Sequence, residues 1–294
     1  MGASGKHLSL VQVHYPKNLP ALLAFYQKNP RSLICAGGTS LLQSPVWNAP
    51  KETIQDVISL SQIPELTHIS RTESYIEVGA AAPISQILGI GRHVLSAALE
   101  SALTRVANGA VRNLATLGGS LAFSDRWLSL VPVLLLLDVR LELRRQSGGE
   151  WVPIAKFLER HPLFRPGEML TRIRIPLEEW NVQHFQIYKS HAFGPLNQLS
   201  WCALAQAEKG YLERFRMAVG APAGLIIRNR ELENTVSGKK LPLSLKELAP
   251  LQEQLQQTLE NVQPRLSFIQ KQLMTRTTYW FLLRYLTDLW EDLP

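Results

Sequence analysis

Apolar residues at two different spacings predict alternating strands and helices at the start of the chain. Residues 8–14 alternate apolar and polar positions as a half-buried strand does, and residues 19–27 carry apolar positions at helical spacing. Residues 32–36 form a short apolar run that ends at Gly37 and Gly38. The pattern therefore predicts a strand–helix–strand unit with a glycine turn at its end, where ligand loops commonly lie.

The next part of the chain mixes strand and helix patterns. Residues 53–60 and 75–80 predict strands, a helix is expected from Ile84, and residues 94–107 predict another helix. The glycine pair Gly118–Gly119 is expected in a loop after that helix. Pro132 is expected to begin a short helix over residues 133–137.

Strands dominate the sequence that follows, and helices close it. The pattern predicts strands over residues 139–145, 151–153, 169–175, 185–189, 199–207 and 211–219, with a tight hairpin turn at Lys209–Gly210. Two amphipathic helices are expected over residues 243–259 and 266–290. Strands followed by helices in this segregated order predict a separate α+β domain over residues 177–294.

The composition limits the classes of function. With 294 residues, 46% of them hydrophobic and 19% charged, the chain has the composition of a globular protein. No segment resembles a signal peptide or a membrane span, so we expect a cytoplasmic protein. The net charge is +7, but the lysines and arginines are scattered in small groups. This pattern does not indicate a nucleic-acid partner.

Cysteine and histidine patterns predict no metal site. The chain has only Cys35 and Cys202, too few to ligate an iron–sulfur cluster alone, so any such cluster is expected in a partner. The seven histidines show no metal-binding spacing. No catalytic side chain is predicted either, because the sequence has no nucleophile elbow.

The two glycine pairs carry most of the functional signal. Adjacent glycines let backbone N–H groups converge on an anion, and two such turns suit a pyrophosphate between them. The spacing around Gly37–Gly38 excludes the G-x-G-x-x-G dinucleotide fingerprint, and no Gly-Lys-Ser/Thr follows either pair, which excludes a P-loop.

Two motifs in order resemble those of the FAD-binding, or medium, subunit of molybdenum hydroxylases of the xanthine dehydrogenase and carbon monoxide dehydrogenase type. Ala-Gly-Gly-Thr-Ser-Leu at residues 36–41 is similar to the family's A-G-G-T-D/S-L. Val-Arg-Asn-Leu-Ala-Thr-Leu-Gly-Gly-Ser-Leu at residues 111–121 is similar to its I-R-N-x-A/G-T-I-G-G-N-L. Smaller landmarks agree, among them Val78–Ala80 and the Arg216-to-Gly220 segment followed by Arg228.

The resemblance implies a fold, a cofactor and partners. The fold class is α+β, with a two-part FAD-binding domain of the vanillyl-alcohol-oxidase type over residues 1–54 and 55–176, followed by the C-terminal domain over 177–294. The implied function is an oxidoreductase subunit that binds FAD and passes electrons from a partner's 2Fe-2S clusters to NAD or another acceptor. The implied partners are a 2Fe-2S small subunit and a molybdopterin large subunit.

The resemblance also implies a set of cofactor-binding residues. The two glycine loops are expected to wrap the FAD pyrophosphate, Val106 to lie near the adenine, and Leu170 and Lys189 near the flavin ring, where a lysine would favour the anionic reduced ring. The full set is Ala36, Gly37, Gly38, Thr39, Ser40, Leu41, Val106, Thr116, Leu117, Gly118, Gly119, Ser120, Ser129, Leu170 and Lys189.

Four positions depart from the family's pattern. Ser120 replaces its usual Asn, Ser129 an Asp, Phe193 an Arg and Asn197 an Asp. Each change removes a charge or a strong hydrogen bond. They leave open an alternative hypothesis, in which the chain is a non-catalytic assembly or interaction subunit of the same fold that has lost FAD.

Overall fold

The chain folds into two compact units in a computed structural model that describes residues 11–41, 56–123, 127–188, 198–222, 224–261 and 266–286. The first unit comprises residues up to 90, 107–123 and 138–176. The second comprises residues 91–106, 124–137 and 177 onwards. The domain bounds 1–54, 55–176 and 177–294 stay a prediction from the sequence.

The first unit begins with the expected strand–helix–strand arrangement. Strands β1 (Gln12–His14) and β2 (Leu33–Cys35) flank β3 (Asp56–Ser59), and both pair with it in parallel. Helix α1 (Leu19–Lys28) starts at Asn18, whose side chain accepts a hydrogen bond from the Ala21 N–H, and it has Pro20 in its first turn. Its buried leucines pack against the strands in one core cluster.

A five-stranded antiparallel sheet forms the rest of the first unit, in the order β4-β5-β8-β6-β7. Inward-facing residues such as Ile76, Val78, Ile173 and Ile175 are buried along β5 and β8. The strands are β4 (Ile69–Arg71), β5 (Tyr75–Gly79), β6 (Arg140–Arg145), β7 (Gly148–Pro153) and β8 (Met169–Pro176), and the short helices are α2 (Pro64–Thr67), α3 (Ile84–Leu88), α5 (Gly109–Arg112), α6 (Leu117–Ala122) and α8 (Ile154–Leu158).

The second unit is built on a four-stranded antiparallel sheet in the order β12-β11-β10-β9. Its strands are β9 (Val182–Tyr188), β10 (Leu199–Glu208), β11 (Tyr211–Ala221) and β12 (Leu225–Arg228), and its helices are α4 (Ala97–Thr104), α7 (Trp127–Leu136), α9 (Arg230–Val236), α10 (Leu245–Asn261) and α11 (Phe268–Leu286). Lys209 and Gly210, both with positive φ, form the predicted hairpin turn.

Strand β10 is buried from Leu199 to Ala205, which means on both of its faces. Trp201 points towards α11, because its Nε1–H donates to Thr278 Oγ1 at 2.9 Å and its ring lies 4.6 Å from that of Phe281. Cys202 and Leu204 face the opposite side and are fully buried there, where α4 and α7 contact the sheet. The predicted α+β fold class, with an antiparallel C-terminal sheet and helices, is confirmed.

Two local expectations are wrong, and one strand is missing from the prediction. The pair Gly118–Gly119 lies in α6 rather than in a loop, because Thr116 caps that helix through the Gly119 N–H. Helix α7 begins before Pro132 and contains it, so the proline does not start the helix. Strand β12 was not expected, since four residues give too short a pattern to recognise.

Candidate functional site: two glycine motifs in contact

The first glycine motif leaves the end of β2 as a tight turn. Gly38 has a φ of 69°, a left-handed backbone conformation that residues other than glycine rarely adopt. A Cβ on Gly37 would overlap the backbone carbonyl of Leu114. Both glycines are therefore required, one by backbone conformation and the other by a close approach between two segments 77 positions apart in the sequence.

The turn presents three consecutive backbone N–H groups. Among the described residues, no carbonyl or side chain accepts a hydrogen bond from the N–H groups of Gly38, Thr39 and Ser40. All three residues are half-buried. Consecutive free N–H groups beside a positive-φ glycine form a concavity suited to an anion.

In the second glycine motif, the N–H groups of Gly118, Gly119 and Ser120 already have acceptors within the first unit. Thr116 Oγ1 accepts from the Gly119 N–H at 3.0 Å, and the Thr116 carbonyl accepts from both the N–H and the hydroxyl of Ser120, each at 3.0 Å. The Gly118 N–H donates to the Ala80 carbonyl at 3.0 Å. These donors hold the motif in place, and Thr116 keeps its own hydroxyl hydrogen for another acceptor.

Ala80 joins the second motif to the five-stranded sheet. Its N–H donates to the Thr171 carbonyl at 2.9 Å, while its carbonyl receives the Gly118 N–H. A Cβ on Gly118 would overlap Ala80, so this glycine too is fixed by close approach. The two glycine motifs and the start of β8 are thus joined by direct contacts within the first unit.

The remaining predicted site residues fall in three places. Leu170 is buried in β8 next to Thr171, and Leu117 and Leu41 are buried beside the glycines of their motifs, while Ala36 is half-buried. Val106, after α4, and Ser129, in α7, belong to the second unit, where both are half-buried. Lys189, Phe193 and Asn197 lie outside the described residues.

Sequence reasoning did not assign a site role to Leu114 or Ala80. Leu114 supplies the carbonyl against which Gly37 packs, and its side chain is 59% exposed at the edge of the first turn. The only signal for either residue is its place inside or beside a family landmark. Their contacts depend on distant parts of the chain and are not visible in local patterns.

A ladder of arginines and glutamates crosses the polar face of the five-stranded sheet. Arg172 donates to Glu142 at 2.7 and 2.8 Å and to Glu77 at 2.6 Å, and Arg174 donates to Glu77 at 2.9 Å. Burial alone would raise the pKa of Glu142, but the hydrogen bonds from Arg172 and Thr171 outweigh it and hold this pKa below its usual value. The hydrogen bond to Glu142 is the main reason that the pKa of Arg172 is raised.

Neither cysteine is placed for thiol chemistry. Cys202 is fully buried and Cys35 is half-buried at the end of β2, and burial raises the pKa of both thiols. A raised pKa keeps the less reactive protonated form. Across the described parts of the chain, no cluster of three potential metal-ligating side chains occurs, and no helix there is long and apolar enough to cross a membrane.

The geometry fits the pyrophosphate of a dinucleotide better than a catalytic site. N–H groups without an acceptor among the described residues lie on one glycine motif, the second motif packs directly against it, and no acidic side chain belongs to either. Backbone donors of this kind bind phosphate oxygens without a lysine or a metal.

Comparison with known proteins identifies the family. Residues 9–178, more than half of the chain and including both glycine motifs, match the FAD binding domain in molybdopterin dehydrogenase. The chain belongs to this family. FAD is therefore its cofactor, and the chain is an oxidoreductase subunit.

Individual relatives agree with this assignment. The chain is 25% identical over 269 residues to the putative xanthine dehydrogenase FAD-binding subunit of Escherichia coli, covering 87% of each protein. It is 29% identical over 178 residues to aldehyde oxidase 2 of Cavia porcellus, but the match covers 55% of this chain and 13% of that much longer protein.

A solved structure shares the fold over almost the entire chain. The chain resembles a chain of quinoline 2-oxidoreductase from Pseudomonas putida 86 with a TM-score of 0.76 and 22% identity, and the match covers 94% of this chain and 96% of the other. The likeness supports the two-unit α+β architecture.

Proposed function

We propose that this FAD-binding subunit is the electron-transfer subunit of a multi-subunit molybdenum hydroxylase. It receives electrons from a partner's 2Fe-2S clusters and delivers them to NAD or another acceptor. When bound, FAD supplies the step between one-electron and two-electron chemistry that these partners require. The observation that carries the proposal is the direct packing of the first glycine motif on the second, at Gly37 and Leu114.

The two motifs have different roles in this proposal. The N–H groups of Gly38, Thr39 and Ser40 have no partner among the described residues and donate to the pyrophosphate. In the second motif, over residues 116–120, the N–H groups of Gly119 and Ser120 donate to Thr116 and that of Gly118 donates to Ala80, so these three residues act mainly as a rigid wall that fixes the first turn. The donors that remain on that side include the hydroxyl hydrogen and the N–H group of Thr116, neither of which has an acceptor among the described residues.

Other cofactor contacts follow from the family resemblance. Val106 is proposed near the adenine, Ser129 near the ribityl and phosphate region, and Leu170 and Lys189 near the flavin ring. The positive charge of Lys189 then favours the anionic reduced ring.

The partners are proposed from the family and from the composition of the chain. The family is named for molybdopterin dehydrogenases, and the Escherichia coli relative is named as one subunit of a larger enzyme. With two cysteines, this chain is too poor in thiolate ligands to hold a 2Fe-2S cluster itself. The clusters and the molybdenum cofactor are therefore assigned to separate subunits, and the proposed location is the cytoplasm.

The proposal is tested on the complex purified after co-expression with the subunits from neighbouring reading frames. We expect substrate-dependent reduction of NAD or another physiological acceptor by the FAD-loaded complex. After removal of FAD this reaction should stop, while an artificial dye that accepts electrons from the iron–sulfur subunit should still be reduced. The proposal is wrong if acceptor reduction continues without FAD, or if this chain does not assemble with the two partners.

A further inference from the structure

The first unit contains a cleft of about 480 Å³ that is lined by none of the predicted cofactor-binding residues. Its walls come from the start of α1, from α2 and from strands β4, β5, β6 and β8. Leu19, Pro64 and Leu66 form an apolar part, and His68, Ser70 and Arg144 bring polar side chains. A volume of this size is suited to a small organic molecule rather than to a nucleotide.

The carboxylates in the wall of the cleft already have donors. Glu77 accepts from Arg172 at 2.6 Å and from Arg174 at 2.9 Å. Glu65 accepts from the Leu19 N–H at the start of α1, at 3.4 Å. Glu77 is therefore paired with two arginines, and Glu65 makes no ion pair with Arg144. The positive charge of Arg144 instead helps to lower the pKa of the neighbouring Glu142.

Arg144 makes no hydrogen bond or ion pair with any residue that the structure describes. Its Nε is buried without an acceptor, because the stem of the side chain lies over Gly149 on the neighbouring strand. The terminal N–H groups of the guanidinium are accessible and also lack a partner among the described residues, so they are the groups of Arg144 that a ligand in the cleft can reach. The side chains of His68 and Ser70 are exposed and make no hydrogen bond with a described residue, so they are open to a ligand.

We propose that this cleft binds a small organic carboxylate. The carboxylate group pairs with the Arg144 guanidinium, and Ser70 and His68 supply further donors. The apolar body of the ligand lies against Leu19 and Pro64, with the fully buried Leu66 beneath them. This site is separate from the proposed electron-transfer function. The bound carboxylate takes no part in electron transfer.

The test is calorimetric titration of the full-length chain saturated with FAD, with benzoate as the probe and benzyl alcohol as its uncharged match. We expect benzoate to bind with a Kd of about 1 mM or tighter, and benzyl alcohol to bind at least about tenfold more weakly. This comparison uses only the wild-type chain. It therefore tests the charge recognition whatever the stability of any variant.

The matched variants are Arg144→Gln and Arg71→Gln, which change the net charge equally. Arg71 is exposed on β4 and does not line the cleft. Arg144→Gln should weaken benzoate binding at least about tenfold, and Arg71→Gln should leave it unchanged. The proposal is overturned if the wild type shows no saturable benzoate binding or if Arg144→Gln binds benzoate as well as the wild type. Release of FAD by benzoate would overturn it as well, because the probe would then occupy the flavin site.

Discussion

Gly37 lies where two distant segments meet most closely, and its missing side chain is what allows the contact. The neighbouring Gly38 is fixed differently, by its φ of 69°. Gly37 sets the distance between the two glycine motifs. Gly38 sets the direction of the turn and of the N–H groups that follow it. At the residue scale, the geometry of the turn proposed to bind the pyrophosphate therefore depends on two adjacent glycines for two separate reasons.

Gly37→Ala should destabilise the first unit and separate the two motifs. The added Cβ overlaps the Leu114 carbonyl, and overpacking against a backbone costs about 1–3 kcal/mol. Urea unfolding followed by circular dichroism measures this cost. Gly109→Ala is the matched control, because its Cβ would meet only the end of the Arg112 side chain at 4.0 Å. Equal unfolding midpoints for the two variants would contradict the close approach.

The sequence predicts which residues form these turns but not how they contact one another. The glycine pairs, Thr39 and Thr116 are recognisable because turn chemistry and motif order are local properties. The contact of Gly37 with Leu114 and that of Gly118 with Ala80 depend on tertiary packing. Local patterns were also misleading at Gly118–Gly119, since glycine disfavours helices, whereas the Thr116 cap and the fit against Ala80 hold these residues in α6.

Helix α7 shows how an element can depend on residues far along the chain. Its last carbonyls are capped by two arginines of the second unit, with Arg216 donating to Leu136 and Arg228 to Leu135. A cation at a helix C-terminus is favourable to the macrodipole. Arg228 also forms a bidentate pair with buried Glu233, at 2.8 and 3.0 Å. The arginines were recognised as family landmarks, but their structural role could not be predicted without the fold.

Arg228→Gln should lower the stability of the second unit by about 2–4 kcal/mol, because it leaves the Glu233 charge buried with fewer donors. Chemical unfolding monitored by tryptophan fluorescence gives this value. Arg92→Gln, in an ion pair whose arginine side chain is 87% exposed, should leave the unfolding midpoint unchanged. The interpretation fails if both variants unfold at the same denaturant concentration as the wild type.

The arginine–glutamate ladder makes the five-stranded sheet sensitive to acid. The folded-state pKa of Glu142 is below its unfolded value, so its contribution to stability is present above the unfolded value, about 4.3, and is lost as pH falls through the folded value. Glu142→Gln should cost about 1–3 kcal/mol at pH 7, since Arg172 keeps Glu77 as a partner.

The difference between wild type and Glu142→Gln should shrink as the pH of the unfolding experiment is lowered below about 4. Glu150→Gln is the control on the adjacent strand, because this glutamate is 59% exposed and pairs only at the surface with Arg160. A Glu142→Gln deficit that stays constant down to the acid transition would contradict the assigned role of this carboxylate.

At the scale of the whole molecule, the α+β class and the order of most elements follow from periodicity. The alternation in residues 199–207 and 211–219 and the Lys209–Gly210 turn predict the central hairpin of the second unit correctly. Periodicity does not predict that residues 91–106 and 124–137 pack with the second unit although the surrounding sequence belongs to the first. The placement of these two segments depends on burial against residues that are far away in the sequence. Helices α4 and α7 contribute the buried Leu99, Leu103 and Leu134 to it.

The most direct test of the account is FAD uptake by the purified full-length chain. We predict that the wild type binds one FAD, visible as the flavin's absorption band after removal of free cofactor. Gly109→Ala should bind equally well, and Gly37→Ala roughly 10–100-fold more weakly, as expected if displacement of the turn by the Leu114 overlap costs one of the hydrogen bonds from residues 38–40 to the charged pyrophosphate. A wild-type chain that is folded, colourless and unable to take up added FAD would contradict the account and would favour the non-catalytic interaction subunit.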